Sequence, residues 1–123
     1  MNAKEKAVAI AAFLDSKKAQ DVQILYVEEL TALTSYFVLA HGNNAPQVKS
    51  LADYAEDEMA RLGYLSCKRE RDTEATWYAL DYEDVIIHIF QRDTRDFFDL
   101  EHIWAQAERI PVPEITKEEG QQA

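Results

Sequence analysis

Apolar residues first recur at helical spacing near the start of the chain. Asn2, with Glu5 three residues later, resembles a capping box, in which each side chain bonds to the other residue's backbone N–H. The apolar positions that follow at intervals of three and four residues are Ala7, Ile10, Ala11 and Leu14. This spacing predicts a first helix over about residues 3–18.

Five short apolar runs, rich in β-branched and aromatic residues, have the length and composition of strands. The predicted strands cover residues 22–27, 36–40, 64–69, 76–80 and 85–90. The last two are joined by Asp81-Tyr82-Glu83-Asp84, a turn with three carboxylates and no glycine. Tight hairpin turns favour glycine or asparagine. Three carboxylates in this turn are therefore unusual and need an explanation.

Two more helices are predicted around these strands. Pro46 fits the first turn of one of them and Gly63 ends it. The apolar face of this helix, between Pro46 and Gly63, consists of Val48, Leu51, Ala52, Ala55, Met59 and Leu62. A third helical segment begins near Asp93, with Asp96 three residues on, and its apolar positions are Phe97, Leu100 and Trp104.

The element order α-β-β-α-β-β-β-α predicts an α/β (α+β mixed) fold. Its five-stranded mixed β-sheet carries packed helices, because amphipathic helices need an apolar sheet face to cover. Residues 1–110 are predicted to form a single domain. Pro111 and Pro113 stop regular structure, and the polar residues after them predict a disordered tail over 111–123.

Charge and cysteine content narrow the classes of function. The net charge of −10 disfavours nucleic acid as the main ligand, since nucleic acids are normally met by clustered Lys and Arg, whereas a basic protein is a permitted partner. The single cysteine, Cys67, cannot form an internal disulfide, which favours a reducing cytoplasm. No apolar run is long enough to span a bilayer and no transit peptide precedes the first helix, so we expect a cytoplasmic, bacterial protein without a membrane partner.

The acidic turn allows two interpretations. Asp81, Glu83 and Asp84 carry the oxygen ligands that magnesium prefers, but no second acidic strand supplies another ligand. A solvated turn that closes the hairpin is the favoured interpretation. His88 lies mid-strand on the same face as Ile86 and Phe90, where a lone histidine is typically a core or interface residue, with Asp84 or Asp96 as a candidate partner. A metal-dependent nucleotidyltransferase-like enzyme using Asp81, Asp84 and His88 is the alternative function.

The strand over residues 85–90 is apolar on both of its faces. Val85, Ile87 and Ile89 point one way, and Ile86 and Phe90 point the other. Either the strand is central and covered twice, or one face meets another protein. Aromatic residues near the strand ends, Trp77, Tyr78 and Tyr82, then either pack in the core or contact a partner.

Several motifs together resemble the ribosomal silencing factor family, RsfS, also called Iojap. They are Tyr36-Phe37-Val38-Leu39 with Gly42, Trp77, the run from Asp81 to Phe90, Arg95, Phe97-Phe98, and Leu100-Glu101 with Trp104. The chain departs from the family pattern at four positions, with Glu83 and Arg71 in place of glycines, Ser35 in place of a common aspartate and Phe98 in place of a frequent tyrosine.

The resemblance implies a nucleotidyltransferase-like architecture without catalysis, metal or cofactor. It implies a translation repressor that binds the large ribosomal subunit through the ribosomal protein numbered fourteen in the universal scheme and blocks joining of the small subunit when nutrients are scarce. The predicted partner-binding residues are Trp77, Tyr78, Asp81, Tyr82, Glu83, Asp84, His88 and Arg95. A homodimer built on the aromatic sheet face is a further alternative.

Overall fold

A computed structural model describes residues 1–65 and 67–114 of the chain, and within those ranges it contains four helices and six strands. The helices are α1 (Ala3–Ser16), α2 (Ala45–Arg61), α3 (Arg92–Phe98) and α4 (Leu100–Ile103). The strands are β1 (Gln20–Tyr26), β2 (Tyr36–Gly42), β3 (Lys68–Arg71), β4 (Trp77–Asp81), β5 (Val85–Gln91) and β6 (Glu108–Ile110).

All the strands join one mixed sheet in the order β3-β4-β5-β2-β1-β6. The central pair, β2 and β5, is parallel, and the other neighbouring pairs are antiparallel. The mixed α/β fold predicted from the sequence is therefore confirmed.

The two long helices cover one face of the sheet. Asn2 and Glu5 form the predicted capping box of α1, while Asn44 caps α2 and Gly63, with φ of +102°, follows its end. The apolar stripes of both helices pack on Val38, Ile87 and Ile89 in a fully buried cluster. Each such side chain stabilises the fold by about 1.5–3 kcal/mol relative to exposure.

The short C-terminal helices cover the other face only in part. Leu100 and Trp104 pack with Ala107 against a second buried cluster built from Leu25, Val27, Phe37, Leu39 and Phe90. β5 is thus central, and helices cover it on both sides. The cover is unequal, because α1 has 14 residues and α2 has 17, whereas α3 has 7 and α4 has 4.

Three details of the predicted fold are wrong. The described chain has a sixth strand, β6, which pairs with β1 at the edge of the sheet, where no strand was predicted. β3 is shorter than predicted, beginning at Lys68. The third helix is interrupted at Asp99, whose left-handed backbone (φ 50°) separates α3 from α4. Most of the tail predicted to be disordered, residues 115–123, lies outside the described residues.

The acidic turn between β4 and β5 is tight. Tyr82 donates its backbone N–H to the carbonyl of Val85 at 2.9 Å, and Glu83 between them adopts φ of +72°. This is the left-handed region, which favours glycine because a Cβ crowds the following carbonyl there. Glu83, which replaces the glycine expected from the family pattern, adopts this conformation and bears its strain.

Replacing Glu83 with Gly should therefore stabilise the protein by about 1 kcal/mol or slightly less, since relief of the left-handed strain exceeds the added entropy of the unfolded chain. Urea unfolding would measure this change. Glu83→Ala is the matched control, because alanine removes the charge but keeps the Cβ. Equal stabilisation by both variants would attribute the gain to charge and contradict the conformational explanation.

Candidate partner-binding face

Six rings lie on the sheet face that α3 and α4 cover only in part, and we call this set the aromatic face. Its members are Phe37, Trp77, His88, Phe90, Phe98 and Trp104. Trp77 is central to it, with ring centroids 4.9 Å from Phe90 and 4.8 Å from Phe98. Phe37 contacts His88 and Trp104 at 5.0 and 5.3 Å, so the rings form a continuous chain.

Exposed apolar side chains border the aromatic face. Phe97 is 82% exposed and Ile103 is 63% exposed, and Phe98 is also open to solvent. Trp77, Ile86 and Trp104 are half-buried. Scattered apolar residues are ordinary on a protein surface, but a group gathered around a half-covered sheet face is typical of a protein interaction site.

Trp77 and His88 are joined by a hydrogen bond. The indole Nε1–H donates to Nδ1 of His88 at 3.0 Å. The prediction that Asp84 or Asp96 is the partner of His88 is therefore wrong. Burial of the ring lowers the pKa of His88 to about 4, against a smaller opposing effect of Asp81. The imidazole is therefore neutral at physiological pH.

The three carboxylates of the acidic turn have three different environments. Asp81 accepts the backbone N–H of Glu83 at 2.8 Å and so helps to close the turn. Asp84 bonds to Lys6 of α1 through both of its oxygens, at 2.8 and 2.9 Å. Glu83 is exposed and makes no ion pair among the residues that the structure describes. Within the described residues they form no group arranged to hold a metal ion.

Asp84 has a structural role that the sequence did not indicate. The Lys6 ammonium is buried beneath it and lies 4.3 Å from the centre of the Tyr64 ring. The backbone carbonyl of Asp84 also accepts the N–H groups of Ser35 and Tyr36, at 3.2 and 3.1 Å. Asp84 thus ties α1 and the start of β2 to the turn.

The other two predicted aromatic contacts are buried inside the monomer. Tyr78 is 4% exposed and Tyr82 is 9% exposed, and both belong to the core cluster beneath α1 and α2. Burial raises the pKa of Tyr82, with a further contribution from its hydrogen bond to Cys67, and burial also raises the pKa of the Cys67 thiol. The expectation of an exposed Tyr82 ring beside the acidic turn is therefore wrong.

Arg95 is also buried, with 4% exposure, at the end of the sheet opposite the acidic turn. Its guanidinium donates to Glu101 at 2.6 and 3.0 Å and to Nδ1 of His41 at 3.0 Å. Burial and, to a smaller extent, Arg95 lower the pKa of His41. Since Glu101 belongs to α4, Arg95 holds both short helices against β2, and a cleft of about 430 Å³ remains beside it.

No metal-binding cluster accompanies these features in the described ranges. Within residues 1–65 and 67–114, no group of three or more His, Cys, Asp or Glu side chains is arranged to hold a metal ion. The helices of the same ranges include none long and apolar enough to cross a membrane. Asp81, Asp84 and His88, the residues of the alternative enzyme, bond to Glu83, Lys6 and Trp77 respectively.

An open aromatic face on a small mixed α/β scaffold is typical of a binding module. A family model described as "Ribosomal silencing factor during starvation" matches residues 1–123. The chain therefore belongs to the RsfS family, whose name denotes a regulatory protein associated with the ribosome.

Relatives and solved structures agree with this assignment. The chain is 35% identical over 107 residues to the ribosomal silencing factor RsfS of Bacillus subtilis (strain 168), covering 87% of this chain and 91% of that protein. It is 30% identical to the chloroplastic protein Iojap of Arabidopsis thaliana, covering 87% of this chain and 44% of that protein. A crystal structure of a Chromobacterium violaceum protein superposes with a TM-score of 0.80 at 27% identity, covering 85% and 88% of the two chains.

Sequence reasoning missed the exposed part of the face. Phe97 was predicted to lie on the buried side of a continuous helix, but its ring is exposed, and the buried residue of α3 is Arg95. The available signal was an excess of apolar residues: Phe97, Phe98, Leu100, Ile103 and Trp104 are too many for one buried stripe on so short a segment. Lys6 was missed because a lysine in the first turn of an amphipathic helix ordinarily faces water.

The pKa of His88 predicts a measurable dependence of stability on pH. Between about pH 6.5 and pH 4 the unfolded chain binds a proton at His88 that the folded protein does not. The stability contributed by the neutral imidazole is therefore complete above about pH 6.5 and falls by roughly 3 kcal/mol as the pH drops to about 4.

Urea unfolding of the wild type and of His88→Gln across this range would isolate the His88 contribution, because His41 and the carboxylates titrate in both proteins. We expect the wild type to lose more stability on acidification than the variant. An NMR titration of the His88 ring in the wild type checks the same point without a variant. A pKa near 6.5 there would contradict the account.

Proposed function

We propose that this protein binds the large ribosomal subunit in the cytoplasm, through the interface ribosomal protein numbered fourteen in the universal scheme. By occupying that position it prevents the small subunit from joining and represses translation under nutrient limitation. The action is steric, so it needs neither catalysis nor a cofactor. Membership of the RsfS family supports the ribosome as the site of action.

The observation that carries the proposal is the open aromatic face with acidic groups at one end. Trp77, Phe97 and Phe98 offer rigid rings, which are the side chains that most often dominate binding energy at protein interfaces. Asp81 is half-buried at the end of β4 and Glu83 is exposed in the turn that follows. This combination fits a basic protein, which an overall charge of −10 would also attract.

The structure changes which of the predicted residues we assign to the interface. Tyr78 and Tyr82 belong to the core cluster beneath α1 and α2 rather than to the aromatic face, and Arg95 is buried at the end of the sheet. Asp84 is held by Lys6 and serves the fold. We therefore propose Trp77, His88, Asp81 and Glu83 as contact residues and add Phe97, Phe98 and Ile103.

A subunit-joining assay tests the proposal. Purified protein is mixed with large subunits, small subunits are added, and the intact ribosomes are measured by sedimentation. We expect the wild type to reduce joining and Phe97→Ser to inhibit at least ten-fold less at equal concentration, because the exposed ring contributes contact area and little stability.

Tyr54→Ser is the matched control, since Tyr54 is an exposed aromatic residue of α2 on the covered side of the sheet. It should inhibit as the wild type does. Unimpaired joining in the presence of wild-type protein would refute the proposed function. Equal loss of inhibition in both variants would refute the assignment of the face.

The acidic turn should act on the rate of association. Glu83→Lys reverses an exposed charge beside the face, so we expect slower binding to large subunits and a weaker dependence of the rate on salt, with little change in dissociation. Asp57→Lys on the exposed side of α2 makes the same change in net charge and is the control. Equal slowing by both would show that only net charge matters, and stopped-flow or interferometry would measure both rates.

A further inference from the structure

The hydrogen bond between Trp77 and His88 fixes the tautomer of the histidine. An indole nitrogen can only donate, so Nδ1 of His88 must be the acceptor in the 3.0 Å contact. A neutral imidazole has one protonated nitrogen, and the proton therefore resides on Nε2. Trp77 thus makes His88 a hydrogen-bond donor on the aromatic face.

That donor has no partner within the described part of the protein. Trp77 is the hydrogen-bonding partner found for the His88 ring there, and it uses Nδ1. The buried side-chain polar atom found without any partner in the same residues is Oγ1 of Thr34, not a nitrogen of His88. The described residues therefore do not seal Nε2 completely, although the residue as a whole is only 9% exposed.

The surroundings of Nε2–H favour a particular kind of acceptor. Ala79 is paired with His88 across β4 and β5, and together with Trp77 it lines a cleft of about 270 Å³ on this face. The same cleft is also lined by Glu70, Asp72 and Arg71, and the Arg71 guanidinium already donates to the carbonyls of Asp72 and Thr73. Together with Asp81 at the end of β4 and the net charge of −10, the two carboxylates repel an incoming carboxylate, so a neutral carbonyl oxygen is preferred.

A partner that covers the aromatic face removes the water from Nε2–H. A buried donor left without an acceptor costs more than an ordinary hydrogen bond contributes. An apolar or purely cationic surface at this point is therefore penalised, because lysine and arginine side chains only donate. His88 selects for partners that present an oxygen at one place, as a site with a buried polar group rejects ligands that cannot pair with it.

We propose that Trp77 positions His88 as an Nε2–H donor and that the ribosomal partner seats a neutral carbonyl oxygen, from its backbone or from an amide side chain, on that nitrogen. This inference rests on the proposed function and assigns Trp77 a positioning role in addition to its contact area. The hydrogen bond supplies specificity at the centre of the face, and the acidic turn acts at its end.

The first test is spectroscopic and needs no partner. With ¹⁵N-labelled histidine, the wild type should show His88 as a single Nε2–H tautomer at pH 7. Trp77→Phe keeps an aromatic ring against Phe90 and Phe98 but removes the N–H, so the His88 signals should shift toward a mixture of tautomers. A mixture in the wild type, or an unchanged Nε2–H tautomer in Trp77→Phe, would overturn the positioning role.

The second test measures affinity for purified large subunits. His88→Phe should bind on the order of ten-fold more weakly, and His88→Gln, which retains a donor and an acceptor, should recover part of the loss. If Trp77 acts through His88, then Trp77→Phe should weaken binding in the wild type but have a much smaller effect in the His88→Phe background. The double variant removes both polar partners, so it also controls for an unpaired indole N–H.

The outcomes separate this inference from the proposed function. Absence of binding by the wild type would refute the proposed function itself. If the wild type binds and His88→Phe binds with the same affinity, the proposed function remains supported. Only the proposed contact between His88 and a carbonyl oxygen would then be overturned. Additive effects of the two substitutions would overturn the claim that Trp77 works through His88.

Discussion

The unequal cover of the two sheet faces determines the rest of this structure. β5 is apolar on both sides, so each face must be shielded from water by helices or by another molecule. The long helices α1 and α2 seal one face, while α3 and α4, interrupted at Asp99, are too short to seal the other. The surface left open consists mainly of rings, and it is the surface that we propose for binding.

Ion pairs at the two ends of the sheet hold this open face in place. At one end, Lys6 of α1 reaches Asp84 and joins the hairpin turn to the helical layer. At the other end, Arg95 bonds to Glu101 and His41 and so fixes α3 and α4 against β2. Both pairs are mostly buried, so loss of one partner would leave a charge without compensation. A face fixed at both ends loses little conformational entropy when it binds.

The sequence predicted most of the scaffold because local signals agreed with the tertiary structure. The capping box at Asn2, the helix end at Gly63 and the double-sided pattern of β5 all depend on residue type and spacing. The three-residue strand β6 was not predictable in this way, because Glu108–Ile110 is ordered by pairing with β1 rather than by its own pattern. The burial of Tyr82 was not predictable from the sequence either. A sequence pattern predicts which face of the sheet a residue lies on, but only the fold shows which face is covered by helices.

Side-chain oxidation footprinting of the protein alone and bound to purified large ribosomal subunits would show whether the aromatic face is the surface that binds. Trp77, Phe97, Phe98 and Trp104 should become protected on binding, while Tyr54 on the sealed side should remain as reactive as in the free protein. Protection of Tyr54 with an aromatic face that stays reactive would contradict this prediction.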